Sequence, residues 1–433
     1  MSEPAPVWGR LLSAEILPWW VEHGADDARG GVLTCFDNRG VLRSTDKYTW
    51  SQGRWAWLAA ELAEEADAPR LGISATAWAE RSEGTSRFLL AHAVLPDAST
   101  AFRTDRDGIP LPDERDGSLS TSIFADLFAA LGIGATVRIG RLGIPELEVA
   151  VRILETARRK VEDRSARTDP YPVPPGHEAL AGWMNLLHTA AELLRTPAPE
   201  ETTARVTAVR DAACRRLLGV PGVSGDAPAL VGRETWWELR PDDPARTESL
   251  LARHRTPGHL LELLWMLLHA ERTGARIPAD PVLEALALEA LRIGWDQEHG
   301  GLLRYADRMG GPPRGGSPAK LPRPVPPYEE LVRSTWDTKL WWVHSEALYA
   351  TAALARRTGS DALAAWHDRL RDYTLRVFPD PEHGEWIQIR DREGRPLDQV
   401  VALPVKDPFH ISRALLLLSR LSPAPARSTE GHR

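Results

Sequence analysis

Turn sequences built on Asp and Gly recur between long helical stretches of this chain, and that alternation limits the fold more than any single motif does. Four segments carry it: GGVLTCFDNRGVL at 30–42, AFRTDRDGIPL at 101–111, GGLLRYADRMG at 300–310 and GEWIQIRDREGRPL at 384–397. Each joins a short β-like run to a turn with Asp and a nearby Gly, which is hairpin chemistry. Around them apolar residues repeat at the spacing of one helical face. The periodicity predicts twelve helices, at roughly 5–22, 48–66, 71–94, 118–138, 144–163, 177–195, 200–218, 256–274, 279–295, 336–357, 360–377 and 408–421. Ala, Leu, Arg and Glu fill these segments, and the connections are often short enough for antiparallel neighbours. Six helical hairpins with inserts at one end close into an all-α (α/α)6 barrel with short β-hairpins on one rim and a central pocket. An open helical solenoid is the alternative, and inserts this regular speak against it.

The chain has 433 residues, 43% hydrophobic and 26% charged, enough to bury a large core. No linker divides it, so we expect one barrel domain over 1–421 and a polar, frayed tail over 422–433. The stretch 220–255, with Trp236 and Trp237, reads as a long rim connection, and GGPPRGGSPAKLPRPVPP at 310–327 as a lid or loop. A net charge of -7 and the absence of a Lys/Arg run give no field for nucleic acid or an anionic membrane. Cys35 and Cys214 stand in no metal-like spacing, and MSEPAPVWGR is no signal sequence. A cytoplasmic protein without a metal or a cofactor is the expectation. Seventeen Trp against six Tyr and seven Phe supply broad walls for a polar ring, although most Trp residues simply pack.

Four stretches could carry chemistry. In TPGHLLELLW at 256–265, His259, Glu262 and Trp265 recur every three residues and offer a base, a carboxylate that could orient it as part of the catalytic set, and an aromatic wall; a core helix with one His is the competing reading. In KYTWSQGRWAW at 47–57, Gln52 and Arg54 flank Gly53. Arg54 suits an oxyanion, or else pairs with a carboxylate across the barrel. In DTKLWWVHSEALY at 337–349, Trp342 and Glu346 stack four residues apart, and His344 points elsewhere as a structural residue. KDPFHISR at 406–413 sets His410 in the first turn of the last helix, where the macrodipole disfavours imidazolium and leaves a neutral base. The EHG turns at His299 and His383 read as turns, and 310–316 lacks the GK[ST] of a phosphate loop.

Taken in order, these motifs resemble the N-acylglucosamine 2-epimerase family, which includes the renin-binding proteins. The resemblance runs from about residue 30 to about residue 417. It rests on GWDQEHGGLLRYAD at 294–307, WDTKLWWVHSEAL at 336–348, FPDPEHGEW at 378–386 and FHISRAL at 409–415, with KYTWSQGRWAW and PGHLLE completing it. It implies an (α/α)6 barrel and cofactor-independent inversion at the carbon next to a sugar carbonyl. By the same resemblance His259 and His410 match the two catalytic histidines, Arg54 the essential arginine and Glu346 the glutamate. Glu262, Trp265 and Trp342 match pocket-shaping positions, and His188 a sugar contact. Gln52 stands in the QGR context of Arg54 and is taken with the substrate-binding set. A sugar substrate, a homodimer and a nucleotide effector are the partners implied.

Three departures bear on which sugar is taken. LPVKDP at 403–408 replaces the usual KGGP or KG, Met184 rather than Asn stands four residues before His188, and the loop 310–327 is long. The expected reaction is epimerisation of an N-acylglucosamine to an N-acylmannosamine. An epimerase or aldose-ketose isomerase of unmodified sugars, or a sugar-binding or inhibitory barrel without activity, are the alternatives.

Overall fold

The computed structural model describes residues 7–65, 71–219, 229–232, 236–316, 327–398 and 406–421. Twelve principal helices are present among them. They are α1 (7–24), α2 (Thr49–Ala63), α3 (75–93), α4 (Ile123–Arg138), α5 (Ile144–Glu162), α6 (Leu180–Leu193), α7 (Glu200–Leu218), α8 (Pro257–Arg272), α9 (Asp280–Gly294), α10 (Trp341–Thr358), α11 (Asp361–Val377) and α12 (Phe409–Leu421). Helix α1 runs through two π turns on either side of Pro18, and α3 ends in a third.

The even-numbered helices form an inner ring. Each packs on the next, α2 on α4, α4 on α6, α6 on α8, α8 on α10 and α10 on α12, and α12 closes the ring against α2. The odd-numbered helices lie outside, against their inner partners. Burial follows from this. In α4 14 of 16 residues are buried, whereas α11 buries only Leu363, Leu370, Tyr373 and Thr374. An inner helix is apolar nearly all round and an outer one only along a stripe. At one crossing the inner ring is tighter than side chains allow: a Cβ on Gly53 would sit 2.0 Å from the Phe128 carbonyl oxygen. The close approach that Gly53 permits is thus by the backbone of α4, and not by a ligand.

All six inner helices begin later than the periodicity predicts, and a short strand precedes four of them. β3 (Lys47–Tyr48), β5 (His177–Ala179), β7 (His254–Arg255) and β9 (Lys339–Leu340) lead into α2, α6, α8 and α10. They pair with β4 (Arg103–Thr104), β6 (Leu239–Pro241), β8 (Ala306–Asp307) and β10 (Ile389–Arg390). Among the described residues only β1 (Cys35–Phe36) and β2 (Leu42–Ser44) form a sheet hairpin of their own. The other inserts pair outward, tying the rim to the start of an inner helix.

A nine-residue helix, Pro327–Thr335, stands where an unstructured approach to α10 is expected. It buries Val332 in a small separate core with Leu239, Leu250, Leu251 and Tyr305. Of the loop 310–327, residues 317–326 lie outside the described residues, as do 403–405, most of 220–235 and the tail 422–433. At the opposite end of the ring Glu61 of α2 accepts from Arg138, Arg195 and Arg420, each at 2.6 Å. No helix among the described residues is long and apolar enough to cross a membrane.

Candidate active site

Because the strands lie before the inner helices, the rim is at the helices' N-terminal ends, and their first turns surround a cleft of about 470 Å³. Each inner helix sends one or more side chains into it: Arg54, Phe128, Asn185, His259, Trp342 and His410 represent the six in order. Six N-termini carry partial positive charge toward one space, which favours an oxyanion there.

Two histidines face this cleft in matching settings. His259 Nδ1 is 2.8 Å from Glu238 Oε1, and His410 Nδ1 is 2.8 Å from Glu346 Oε1. In both, a carboxylate on Nδ1 fixes the tautomer and leaves Nε2 as the second nitrogen, which at His410 lies 3.6 Å from Asp407 Oδ2. The Trp342 ring lies against both imidazoles, with centroids 5.1 Å from His259 and 5.8 Å from His410.

Their acidities are driven apart. Burial pushes the His410 pKa down to about 3; Asp407 opposes this, while Arg54 and Arg413 add to it. Burial also works against the charged form of His259, but the Glu238 charge and hydrogen bond more than offset it and raise its pKa above 6.5. Two imidazoles with pKa values driven in opposite directions thus face one cleft, a division of labour that acid/base catalysis can use.

Arg54 donates from Nη1 to Asp407 Oδ2 at 2.7 Å, and its guanidinium lies 4.1 Å over the Phe128 ring. This arginine therefore pairs with a carboxylate across the ring, as one of its two readings expects, and also lines the cleft. Asp407 additionally accepts from the Phe409 backbone N–H at 2.8 Å, capping α12. The LPVKDP departure thus places a carboxylate on the site's arginine.

Behind the histidines lies a buried ionic cluster. Arg413 Nη2 donates to Glu262 Oε1 at 2.6 Å and to Glu346 Oε1 at 2.7 Å. Glu262, Glu346 and His410 stand close enough together to suggest metal ligands. The Arg413 guanidinium already occupies the space between both carboxylates and neutralises them, so this donor set does not suit a cation.

Several expected site residues lie elsewhere. Gln52 is buried and spends its amide on Val32, accepting from its N–H and donating to its C=O, each at 2.8 Å. It holds the first hairpin and does not reach the cleft. Trp265 donates its indole N–H to Glu346 Oε2 at 2.7 Å and is walled by Tyr349 and His269. Steps of three residues turn a helix by about 60° each, so Trp265 has rotated well away from His259. His188 is buried beneath the cleft, edge-on to Trp57 and Trp265, and burial pushes its pKa down to about 3. Glu346 acts through His410, and Glu262 lines the cleft but orients neither imidazole. His344 is structural as expected, accepting from the Leu302 N–H at 2.9 Å.

Two participants were not singled out from the sequence. Arg413 stands inside the FHISR motif, three residues after His410, and that spacing was the available signal. Glu238 sits in the irregular rim segment, where no periodicity marks it.

The family described as N-acylglucosamine 2-epimerase (GlcNAc 2-epimerase) matches residues 232–414. A Bos taurus protein named N-acylglucosamine 2-epimerase is 30% identical over 450 residues, covering 99% of this chain and 96% of the cattle protein. Among solved structures, cellobiose 2-epimerase from Bacillus thermoamylovorans B4167 aligns with a TM-score of 0.68 at 16% identity, over 95% of this chain and 98% of that one. A D-mannose isomerase structure aligns with a TM-score of 0.67 at 16% identity, over 96% of this chain and 99% of that one.

Proposed function

The chain belongs to the N-acylglucosamine 2-epimerase family and is a sugar 2-epimerase; from that premise we propose that it interconverts N-acylglucosamine and N-acylmannosamine with His259 and His410 as a two-base pair. The observation that carries this reading is the pair of imidazoles on one cleft, each anchored through Nδ1 to its own carboxylate. The proton at C2 of an open-chain sugar is removable because the adjacent carbonyl takes up the charge. In one direction neutral His410 takes that proton and protonated His259 returns one to the other face; the reverse direction uses the same singly protonated pair. Arg54, held by Asp407, stabilises the enediolate oxygen. Trp342 supports both rings, and Glu238, Glu346 and Arg413 are positioning residues.

The N-acyl sugar rests on the family and on the cattle relative matched over 99% of this chain, whereas a D-mannose isomerase relative matches only 41% of it and the solved D-mannose isomerase is a likeness of fold. The same reading carries a single catalytic domain over 1–421, a homodimer, a nucleotide effector and a cytoplasmic location, each supported by the resemblance or by composition.

Incubation in D2O with N-acetylmannosamine, mannose, glucose and cellobiose, followed by NMR, tests the proposal. Deuterium should enter C2 of N-acetylmannosamine as its C2 epimer appears. Label at C1 with conversion of an unmodified aldose to a ketose would make the protein an isomerase instead, and no exchange with any sugar would refute a two-base site.

A further inference from the structure

Charged side chains lining the cleft are paired, with one exception. Arg54 has Asp407, Arg164 has Asp242, Glu238 has His259 and Glu262 has Arg413, while Asp169 faces two arginines and Glu178 three. Arg304 also lines the cleft and is only 5% exposed, yet no carboxylate among the described residues forms an ion pair with it. Its neighbours are neutral phenols. Nη2 donates to Tyr171 Oη at 3.2 Å, and the guanidinium lies 5.8 Å and 5.1 Å from the Tyr171 and Tyr305 rings. Tyr328 completes that side of the wall.

A buried guanidinium with five N–H donors and no counter-charge is costly to hold empty. Arg54 already serves the oxyanion end of the site from the second turn of α2. Arg304 comes instead from the rim insert between α9 and α10, just before β8, on the side of His259. A ligand group that meets it is therefore a different one from the oxygen held at Arg54.

We infer that Arg304, with Tyr171 and Tyr305, is a recognition site for an oxyanion, carboxylate or phosphate, on the sugar substrate remote from C1 and C2. This deepens the epimerase reading and rests on it: the preferred substrate is an acidic N-acylhexosamine. The planar fork suits either oxyanion.

The test uses the full chain with N-acetylglucosamine, its 6-phosphate and its 6-carboxylate. Binding is measured by calorimetry and C2 exchange in D2O by NMR, for the unchanged protein, Arg304→Leu and Arg304→Lys. At least one acidic sugar should bind about tenfold or more tighter than the neutral one. Arg304→Leu should abolish that preference while leaving the neutral sugar within about threefold, and Arg304→Lys should keep part of it. The phosphate and carboxylate arms identify the oxyanion. Equal binding of all three sugars to the unchanged protein overturns the inference whether or not the variants fold. So does an Arg304→Leu variant that folds and weakens all three alike, the pattern of a lost contact to the acyl carbonyl. Tight binding of an acidic sugar without exchange would keep the oxyanion site and reject the epimerase reading.

Discussion

His259 Nδ1 lies 2.8 Å from Glu238, a carboxylate supplied by the rim segment just before β6 and not by any helix of the ring. That carboxylate is what raises the His259 pKa, against burial. The proton on the pair is lost as pH climbs through this raised value, so kcat/KM should fall on the alkaline side. In Glu238→Gln the falling limb should move to lower pH, with a loss of about 10–100-fold near neutrality, the usual cost of removing a partner that orients an imidazole. A pH profile of C2 exchange reads both. An unmoved limb would mean that some other group sets it.

Replacing either histidine separates the two faces. His259→Asn and His410→Asn should each depress net epimerisation by about 10² to 10⁴-fold. Solvent deuterium should still wash into one C2 epimer in one variant and into the other epimer in the other. Full exchange into both epimers by either variant would disqualify that residue as a base.

Removing Arg413 leaves Glu262 and Glu346 buried without their common cation. Breaking such a pair costs about 3–5 kcal/mol, so Arg413→Met should unfold at markedly lower denaturant. The double variant Arg413→Met with Glu262→Gln should regain part of that loss. Equal midpoints for Arg413→Met and the unchanged protein would show the cluster to be energetically idle.

At Gly53 the constraint is steric. Ala there puts its Cβ into the Phe128 carbonyl, so α2 and α4 must separate. A cost of at least about 1–3 kcal/mol follows, and displacement of neighbouring Arg54 should lower kcat as well. Thermal melts with kinetics on the folded fraction check this; a normal melt would mean that the crossing relaxes without strain.

Acid should destabilise the protein early. Burial holds His188 and His344 down to about 3 and His254 down to about 4. Their unfolded forms take up protons near 6.5, so stability is full above that pH and is lost as pH falls toward the folded values. Each contributes up to about 1.4 kcal/mol per pH unit in that window. A calorimetric Tm that stays level from pH 7 to pH 5 would contradict this.

Much of the architecture is readable because helices announce themselves by period and the inserts by Asp and Gly. The four residues with the most defined roles, Arg54, His259, Glu346 and His410, are legible through motif context near the starts of inner helices. Periodicity alone misleads inside the ring. A helix buried on all sides gives no polar stripe to mark the cleft, so Trp265 looks like a site residue by its spacing and faces another partner, as do Gln52, taken from the QGR context, and His188, taken from the resemblance. Glu238 escapes for the opposite reason, since its segment has no repeat and only the folded rim brings it to His259.

Arg54 and Asp407 meet across 353 positions of sequence, and only because α12 shuts the ring against α2. During synthesis Arg54 therefore emerges long before the carboxylate that orients it, and His410 arrives with the final hairpin. An unfinished barrel can enclose space but cannot move a proton across it. On the two-histidine proposal, turnover is accordingly a readout of completed topology: proton transfer begins when the last helix docks.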